Sequence, residues 1–180
     1  MAPLVIDTGE FRRNVGVCLV NSAGLVWAGR RVDDRLGTWQ MPQGGIDAGG
    51  WENPMTAAVR ELREETGITS ARLVQVMDPW LDYEYPTEVP MPGRPDTRLR
   101  YRGQTQKWCL MYFYGSESEI DLERHGEREF SEYAWLPLEA LPEKVVSFKQ
   151  RSYAQVSRAF GPTIRRRFEQ HQLKEPWWID

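Results

Sequence analysis

Three glutamates lie close together in a short stretch of this sequence, at a spacing that could bind a metal ion. Glu61, Glu64 and Glu65 fall within one narrow arc of a helix, because each residue turns the chain by about 100°. Carboxylates held this close repel each other unless a cation lies among them, and such oxygen ligands suit Mg²⁺ or Mn²⁺. The same pattern also fits a solvated helix face on which Arg60 and Arg63 pair with the glutamates. The spacing alone leaves both interpretations open.

The helix that would carry these glutamates has recognisable ends. Pro54 lies near its predicted start, where a missing backbone N–H costs little. Gly67 follows its predicted end, where glycine adopts a left-handed cap most readily. Four apolar side chains fall on the neighbouring arc and are expected to pack on a core: Met55, Ala58, Val59 and Leu62.

The stretch as a whole resembles the Nudix box, the sequence motif of the Nudix hydrolases. Glu52, seven intervening residues and then RELREETGI from Arg60 to Ile68 fit that motif without a gap. In the family this glutamate and this arginine form a structural ion pair. Between Gly44 and Glu52 there are seven residues where the family has five, so residues 48–51 hold a two-residue insertion. We expect its glycines to let it bulge outward while Glu52 still reaches Arg60.

The resemblance implies a metal site and a catalytic set. Glu61, Glu64 and Glu65, with the backbone carbonyl of Gly44, correspond to ligands of Mg²⁺ (or Mn²⁺). Glu129 matches a further carboxylate that the family uses for metal or water, although it could also be an ordinary loop glutamate. The four glutamates are therefore the predicted catalytic residues. The general base is left open among Glu61, Glu64 and Glu129.

Basic and aromatic residues elsewhere match positions that hold phosphates or stack a base in the same family. These are Arg12, Arg31, Lys107, Phe148 and Lys149. Tyr83 and Tyr85 lie in the Pro- and Tyr-rich stretch 78–95, which is predicted to form a long loop over the site. With Phe148 they are candidates for an aromatic platform under a base, which requires an exposed ring face. At least some of the arginines at 94, 98, 100 and 102 are expected to line a phosphate channel.

Motifs outside the box resemble one Nudix subgroup, which contains bacterial RNA pyrophosphohydrolase and plant-type diadenosine tetraphosphate hydrolases. They are RRNVG from Arg12, WQMPQGG from Trp39, GQTQKW from Gly103 and VVSFK from Val145. The implied fold is an α/β/α sandwich with a mixed central sheet. The WQMPQGGID and WLDYEYPTEV segments look closer to the plant-type members. The main functional prediction is therefore hydrolysis of diadenosine tetraphosphate to ATP and AMP.

Three other functions stay open beside this prediction. The same machinery could remove pyrophosphate from the 5′ end of triphosphorylated RNA, or it could hydrolyse guanosine polyphosphate alarmones. A non-catalytic nucleotide sensor would have lost a carboxylate of the box, and all of them are present here. The expected partners are a nucleoside polyphosphate or an RNA 5′ end, with neither DNA nor a membrane.

Composition and hydrophobic pattern agree with one α/β domain. The 180 residues are 41% hydrophobic and 27% charged, with a net charge of −3. We expect a single Nudix hydrolase domain over residues 1–180, with its core at about 11–160 and a C-terminal helix and tail over 149–180. The predicted strands are 14–20, 25–31, 71–77, 104–114 and one from 129, and the predicted last helix is 148–169.

The cysteines and the absence of a long apolar run bear on the cellular compartment. Cys18 and Cys109 lie in apolar runs and are predicted to be buried free thiols, which suits a reducing compartment. No apolar run approaches 18 residues, the length that crosses a bilayer. We therefore expect a cytoplasmic protein, or an organellar one if a transit peptide has been removed.

Overall fold

The computed structural model describes residues 10–46, 52–86, 101–124 and 128–171, with side chains as far as residue 167. The described chain forms a mixed seven-stranded sheet in which the order β4-β6-β1-β2-β7 is joined by β3 on β1 and β5 on β6. The α/β architecture with a mixed sheet is thus confirmed. The strands are β1 (Phe11–Val20), β2 (Val26–Arg31), β3 (Gln43–Gly45), β4 (Ala71–Val76), β5 (Leu81–Glu84), β6 (Gly103–Phe113) and β7 (Phe130–Leu136).

The centre of the sheet is the parallel pair β1 and β6, in register from Phe11 opposite Gly103 to Val20 opposite Tyr112. Both strands are buried on both faces, which explains their nearly continuous apolar sequences. Their side chains divide into two hydrophobic clusters, one on each face. Cys18 belongs to one cluster and Cys109 to the other, and both are free thiols, as predicted.

The box helix α1 (Pro54–Thr66) has the ends that the sequence predicted. The side chain of Asn53 accepts a hydrogen bond from the N–H of Thr56, and Gly67 adopts φ 76°. Its core face differs from the prediction, because Met55 and Val59 are 42% and 53% exposed. The buried side chains are Ala57, Ala58, Leu62 and Thr66. Two of these four side chains are alanines, so small residues make up half of the buried arc.

The opposite face of the sheet is covered by the long helix α3 (Gln150–His171), with the short helix α2 (Leu141–Lys144) beside it. Tyr153, Val156 and Phe160 are fully buried on the inner side of α3. The helix begins two residues later than predicted, because 147–149 form a 3-10 turn. In the described part of the chain, no helix has both the length and the apolar character that crossing a membrane requires.

The stretch 78–95, which was predicted to be a loop, is described as far as residue 86 and contains a strand. Leu81–Glu84 form β5, which pairs antiparallel with β6. Leu81 and Tyr83 face inward while Asp82 and Glu84 are exposed, an alternation typical of a half-buried strand. The prediction of a long, ordered loop was therefore wrong for residues 81–84, which form a strand.

Candidate active site

Strand β3 brings two glycines against one acidic and one basic side chain. A Cβ atom on Gly44 would overlap the carboxylate of Glu61, and one on Gly45 would overlap the guanidinium of Arg12. Glu61 therefore lies directly against the backbone of Gly44, and the metal site formed by these two residues stays a prediction. The register of β3 on β1, with Val15 opposite Gly44, fixes this position in the sheet.

The guanidinium of Arg60 links the loop before α1 to the glutamates on α1. Its Nε and NH2 donate to the two carboxylate oxygens of Glu52, both at 2.9 Å, and NH2 also donates to the carbonyl of Gly45 at 2.8 Å. Its NH1 lies between Glu61 at 2.8 Å and Glu64 at 3.1 Å. The predicted contact of Glu52 with Arg60 is present, while residues 47–51, which contain the insertion, lie outside the described residues.

Glu65 faces strand β3 rather than Arg60. Its Oε2 accepts a hydrogen bond from the backbone N–H of Gln43 at 3.1 Å. Burial, followed by the negative charges of Glu129 and Glu61, raises the pKa of Glu65 well above its usual value. Burial also raises the pKa of Glu61, although Arg60 opposes the shift. Two carboxylates are thus held where a nearby cation would stabilise their charged forms.

Arg31 and Glu129, predicted separately as a phosphate ligand and a catalytic carboxylate, form an ion pair through NH1 of the arginine. The other side of the same guanidinium is held by Asp33, with Nε to Oδ1 at 2.8 Å and NH2 to Oδ2 at 2.9 Å. Sequence reasoning missed Asp33. Since its fork is bidentate, Asp33 fixes the direction in which NH1 points.

Lys149 is a buried cation on the side of the sheet covered by α3. Its side chain is 6% exposed, and its Nζ donates to Oε1 of Gln40 at 2.7 Å. Burial, together with the positive charge of Arg31, lowers its pKa to about 7, although Glu65 and Glu129 oppose that shift. Lys149 thus interacts electrostatically with both carboxylates, and the hydrogen bond of its Nζ is to Gln40.

The predicted aromatic platform is only partly available. Tyr83 is 5% exposed, and its hydroxyl donates to Oε1 of Gln104 at 2.6 Å, so it has no free ring face for a base. Instead it supports Phe148 at 5.6 Å and Tyr85 at 6.1 Å between ring centroids. Phe148 and Tyr85 are half-buried and remain candidates for stacking. The role predicted for Tyr83 is thus corrected to support of Phe148.

A buried amide connects the three strands that meet at the site. Nε2 of Gln106 on β6 donates to Oδ1 of Asn14 on β1 at 2.8 Å and to Oε1 of Gln43 on β3 at 3.3 Å. Oε1 of Gln106 has no hydrogen-bond partner among the described residues. Since Gln43 precedes Gly44 and its N–H binds Glu65, this amide supports the strand that carries the site.

The remaining basic candidates are Lys107 on β6, Arg102 just before β6, and three arginines that lie outside the described residues. Lys107 is opposite Val15 in the sheet, and its Nζ donates to the carbonyl of Asp78 at 2.5 Å and lies 5.8 Å from the ring of Trp80. Arg102 pairs with Glu84 at 2.5 Å. The arginines at 94, 98 and 100 fall outside the described residues.

The residues present fit a divalent cation in chemical kind, but they are not gathered around one point. Within residues 10–46, 52–86, 101–124 and 128–171, no three acidic, histidine or cysteine side chains have an arrangement that could hold a metal ion. Each carboxylate instead has another partner. Glu61 and Glu64 contact Arg60, Glu129 contacts Arg31, and Glu65 accepts a hydrogen bond from a backbone N–H. Glu61 against Gly44, and Glu65 with its raised pKa, supply the hard oxygen donors that Mg²⁺ prefers.

Comparison with known proteins gives a consistent result. The model of the NUDIX domain matches residues 10–156. A protein of Brucella anthropi named RNA pyrophosphohydrolase is 43% identical over 168 residues, covering 88% of this chain and 94% of its own. One of the same name from Bradyrhizobium sp. is 44% identical over 161 residues, covering 84% and 92%. Among solved structures, an Ap4A hydrolase of C. elegans in a binary complex matches with a TM-score of 0.56 at 19% identity, covering 83% and 98%.

Proposed function

This chain belongs to the Nudix family and is a Nudix pyrophosphohydrolase, and we propose that its substrate is RNA with a 5′ triphosphate, from which it releases pyrophosphate. The observation that carries the proposal is the agreement of its curated relatives. Eight of them are 42–44% identical over at least 83% of this chain, and all are named RNA pyrophosphohydrolase.

The acidic side chains are proposed to hold the cation and to prepare the attacking water. Glu61, Glu64 and Glu65, with the carbonyl of Gly44, would bind Mg²⁺, which neutralises phosphate charge and lowers the pKa of a bound water. Arg60 lies between Glu61 and Glu64 and forms an ion pair with each. The general base is one of Glu61, Glu64 and Glu129.

The basic side chains are proposed to bind the phosphates. Arg31, held by Asp33, presents NH1 toward Glu129, and Lys149 lies within electrostatic range of the same carboxylate. Arg12 lies against Gly45 on the neighbouring strand. The positive charges of these basic side chains would stabilise the negative charge that accumulates on the departing pyrophosphate.

Hydrolysis of diadenosine tetraphosphate is the second candidate, and the structure offers it less support than the sequence did. A dinucleotide needs an aromatic platform for its second nucleoside, and Tyr83 is buried against Phe148. The C. elegans enzyme is only 19% identical, so that likeness concerns the fold alone. Phe148 and Tyr85 are half-buried and could stack on the second nucleoside, which is the feature that favours this candidate.

One experiment separates the two candidates. The purified protein is given triphosphorylated RNA and diadenosine tetraphosphate in Mg²⁺ buffer, the products are resolved by chromatography, and kcat/KM is measured for both substrates. We expect pyrophosphate release from RNA to be preferred. Preferred formation of ATP and AMP from the dinucleotide would reverse the assignment, and turnover of neither substrate would reject both.

A further inference from the structure

Helix α3 carries a line of exposed arginines that the active site does not use. Arg151, Arg158 and Arg165 are seven residues apart, and their side chains are exposed. Seven residues turn a helix by about 700°, so each arginine lies only about 20° from the one before it. We call these three residues the arginine stripe. It faces away from the inner side of α3, where Tyr153 and Phe160 pack on the sheet.

The stripe lacks the acidic residues that normally accompany arginines on a solvated helix. No aspartate or glutamate occurs between residues 150 and 168, although an ordinary exposed helix gains stability from acidic partners three or four residues away. Arg165 pairs with Glu139 at 3.1 Å, and both side chains are about 60% exposed. Among the described residues, Arg151 and Arg158 have no ion-pair partner. The helix therefore concentrates positive charge in a chain whose net charge is −3.

The stripe begins close in sequence to Lys149, a residue of the candidate active site. Arg151 is two residues after Lys149, and the stripe extends about 21 Å along the helix at 1.5 Å per residue. A strand stacked as in a duplex advances about 3.4 Å per nucleotide, so this length corresponds to about six nucleotides. We propose that the arginine stripe binds the phosphate backbone of the RNA downstream of the 5′ end that is being hydrolysed. This inference rests on the proposed function and adds a surface for the body of the substrate.

The test compares a short and a long RNA with the intact protein. The substrates are a triphosphorylated dinucleotide and a single-stranded triphosphorylated RNA of about twelve nucleotides, which is longer than the stripe. In the wild type, kcat/KM is expected to be higher for the long RNA. In the double variant Arg151→Gln and Arg158→Gln, this advantage should fall about fivefold while the dinucleotide is hydrolysed as before. The matched control is Arg72→Gln with Arg124→Gln, two exposed arginines outside α3. Arg72 lies on β4, and Arg124 lies in a turn after β6, where it donates to the carbonyl of Gly67 at 3.4 Å.

Salt dependence gives a second measure of the same contacts. Losing two phosphate contacts should reduce the slope of log KM against log salt by about 1.4 for the long RNA. The proposal is overturned if the wild type shows no length advantage, if the stripe variant keeps it, or if the control loses it equally. If the wild type releases pyrophosphate from neither RNA, the proposed function itself has failed.

Discussion

Replacement of Lys149 by methionine should make the protein more stable at low pH while weakening substrate binding. The lysine is 6% exposed, and its pKa falls from an ordinary 10.5 to about 7. Burial is the main cause, and Arg31 adds to it against the opposing charges of Glu65, Glu129 and Asp33. Each unit of pKa corresponds to about 1.4 kcal/mol, so keeping this lysine charged in the fold costs about 5 kcal/mol.

The sign and the pH window follow from the two pKa values. Between about 7 and 10.5 the unfolded chain holds a proton on this lysine that the folded chain has lost, so stability rises with pH. The cost is fully present below about 7 and disappears as pH approaches 10.5. Methionine removes the cost, so its advantage should narrow from about 5 kcal/mol near pH 6 to about 2 kcal/mol near pH 9. Loss of the bond to Gln40 subtracts about 1–3 kcal/mol at every pH.

Urea unfolding in EDTA, at several pH values, measures this difference in the free energy of unfolding. Lys144→Met is the control, because Lys144 is exposed on α2 and its replacement should leave the pH dependence unchanged. Phosphate binding by Lys149 predicts a raised KM for triphosphorylated RNA in Lys149→Met. A free-energy gap between wild type and Lys149→Met that stays constant from about pH 6 to about pH 9 would refute the electrostatic reasoning.

Three further changes probe the site. Glu65→Gln should cut kcat on the order of a hundredfold without loss of thermal stability in EDTA, because it removes a crowded charge; near-normal turnover would reject Glu65 as a ligand. Gly44→Ala should lower both Tm and activity, because the new Cβ overlaps the carboxylate of Glu61. Gly161→Ala is the control and should be tolerated, because its Cβ meets only the flexible end of Arg165. Equal tolerance of both substitutions would contradict the packing at Gly44. Asp33→Asn should raise KM for RNA on the order of fivefold by loosening Arg31, and an unchanged KM would leave Asp33 without a positioning role.

The sequence predicted most of the elements that have strong local signals. Strands β1 and β6 are continuous apolar runs, and Pro54 and Gly67 mark the ends of α1. It failed for β5, because the prolines and tyrosines around it hid the alternation of Leu81 and Tyr83 with polar residues. It also placed Met55 and Val59 on the buried arc of α1, whereas the side chains buried there are Ala57, Ala58, Leu62 and Thr66.

The candidate site was predicted as a set of residues but not as a set of contacts. The box spacing identified the glutamates and the contact of Glu52 with Arg60, which lie only eight residues apart. Contacts between distant parts of the chain could not be predicted from the sequence. Examples are Arg31 with Glu129, separated by 98 residues, and Lys149 with Gln40, separated by 109. Such contacts depend on the completed sheet, so no local pattern reports them.

The parallel pairing of β1 with β6 has a consequence for the order in which the enzyme folds. Every residue of β1 pairs with one that is 92 positions later, from Phe11 with Gly103 onward. Contacts of such high sequence separation form slowly, because a long loop must close before they are gained. During synthesis, α1 emerges complete with its glutamates well before β6 exists to place β1 beneath them. We therefore expect chains that stop before Gly103 to carry the whole box and yet lack the site, which ties activity to a late step of folding.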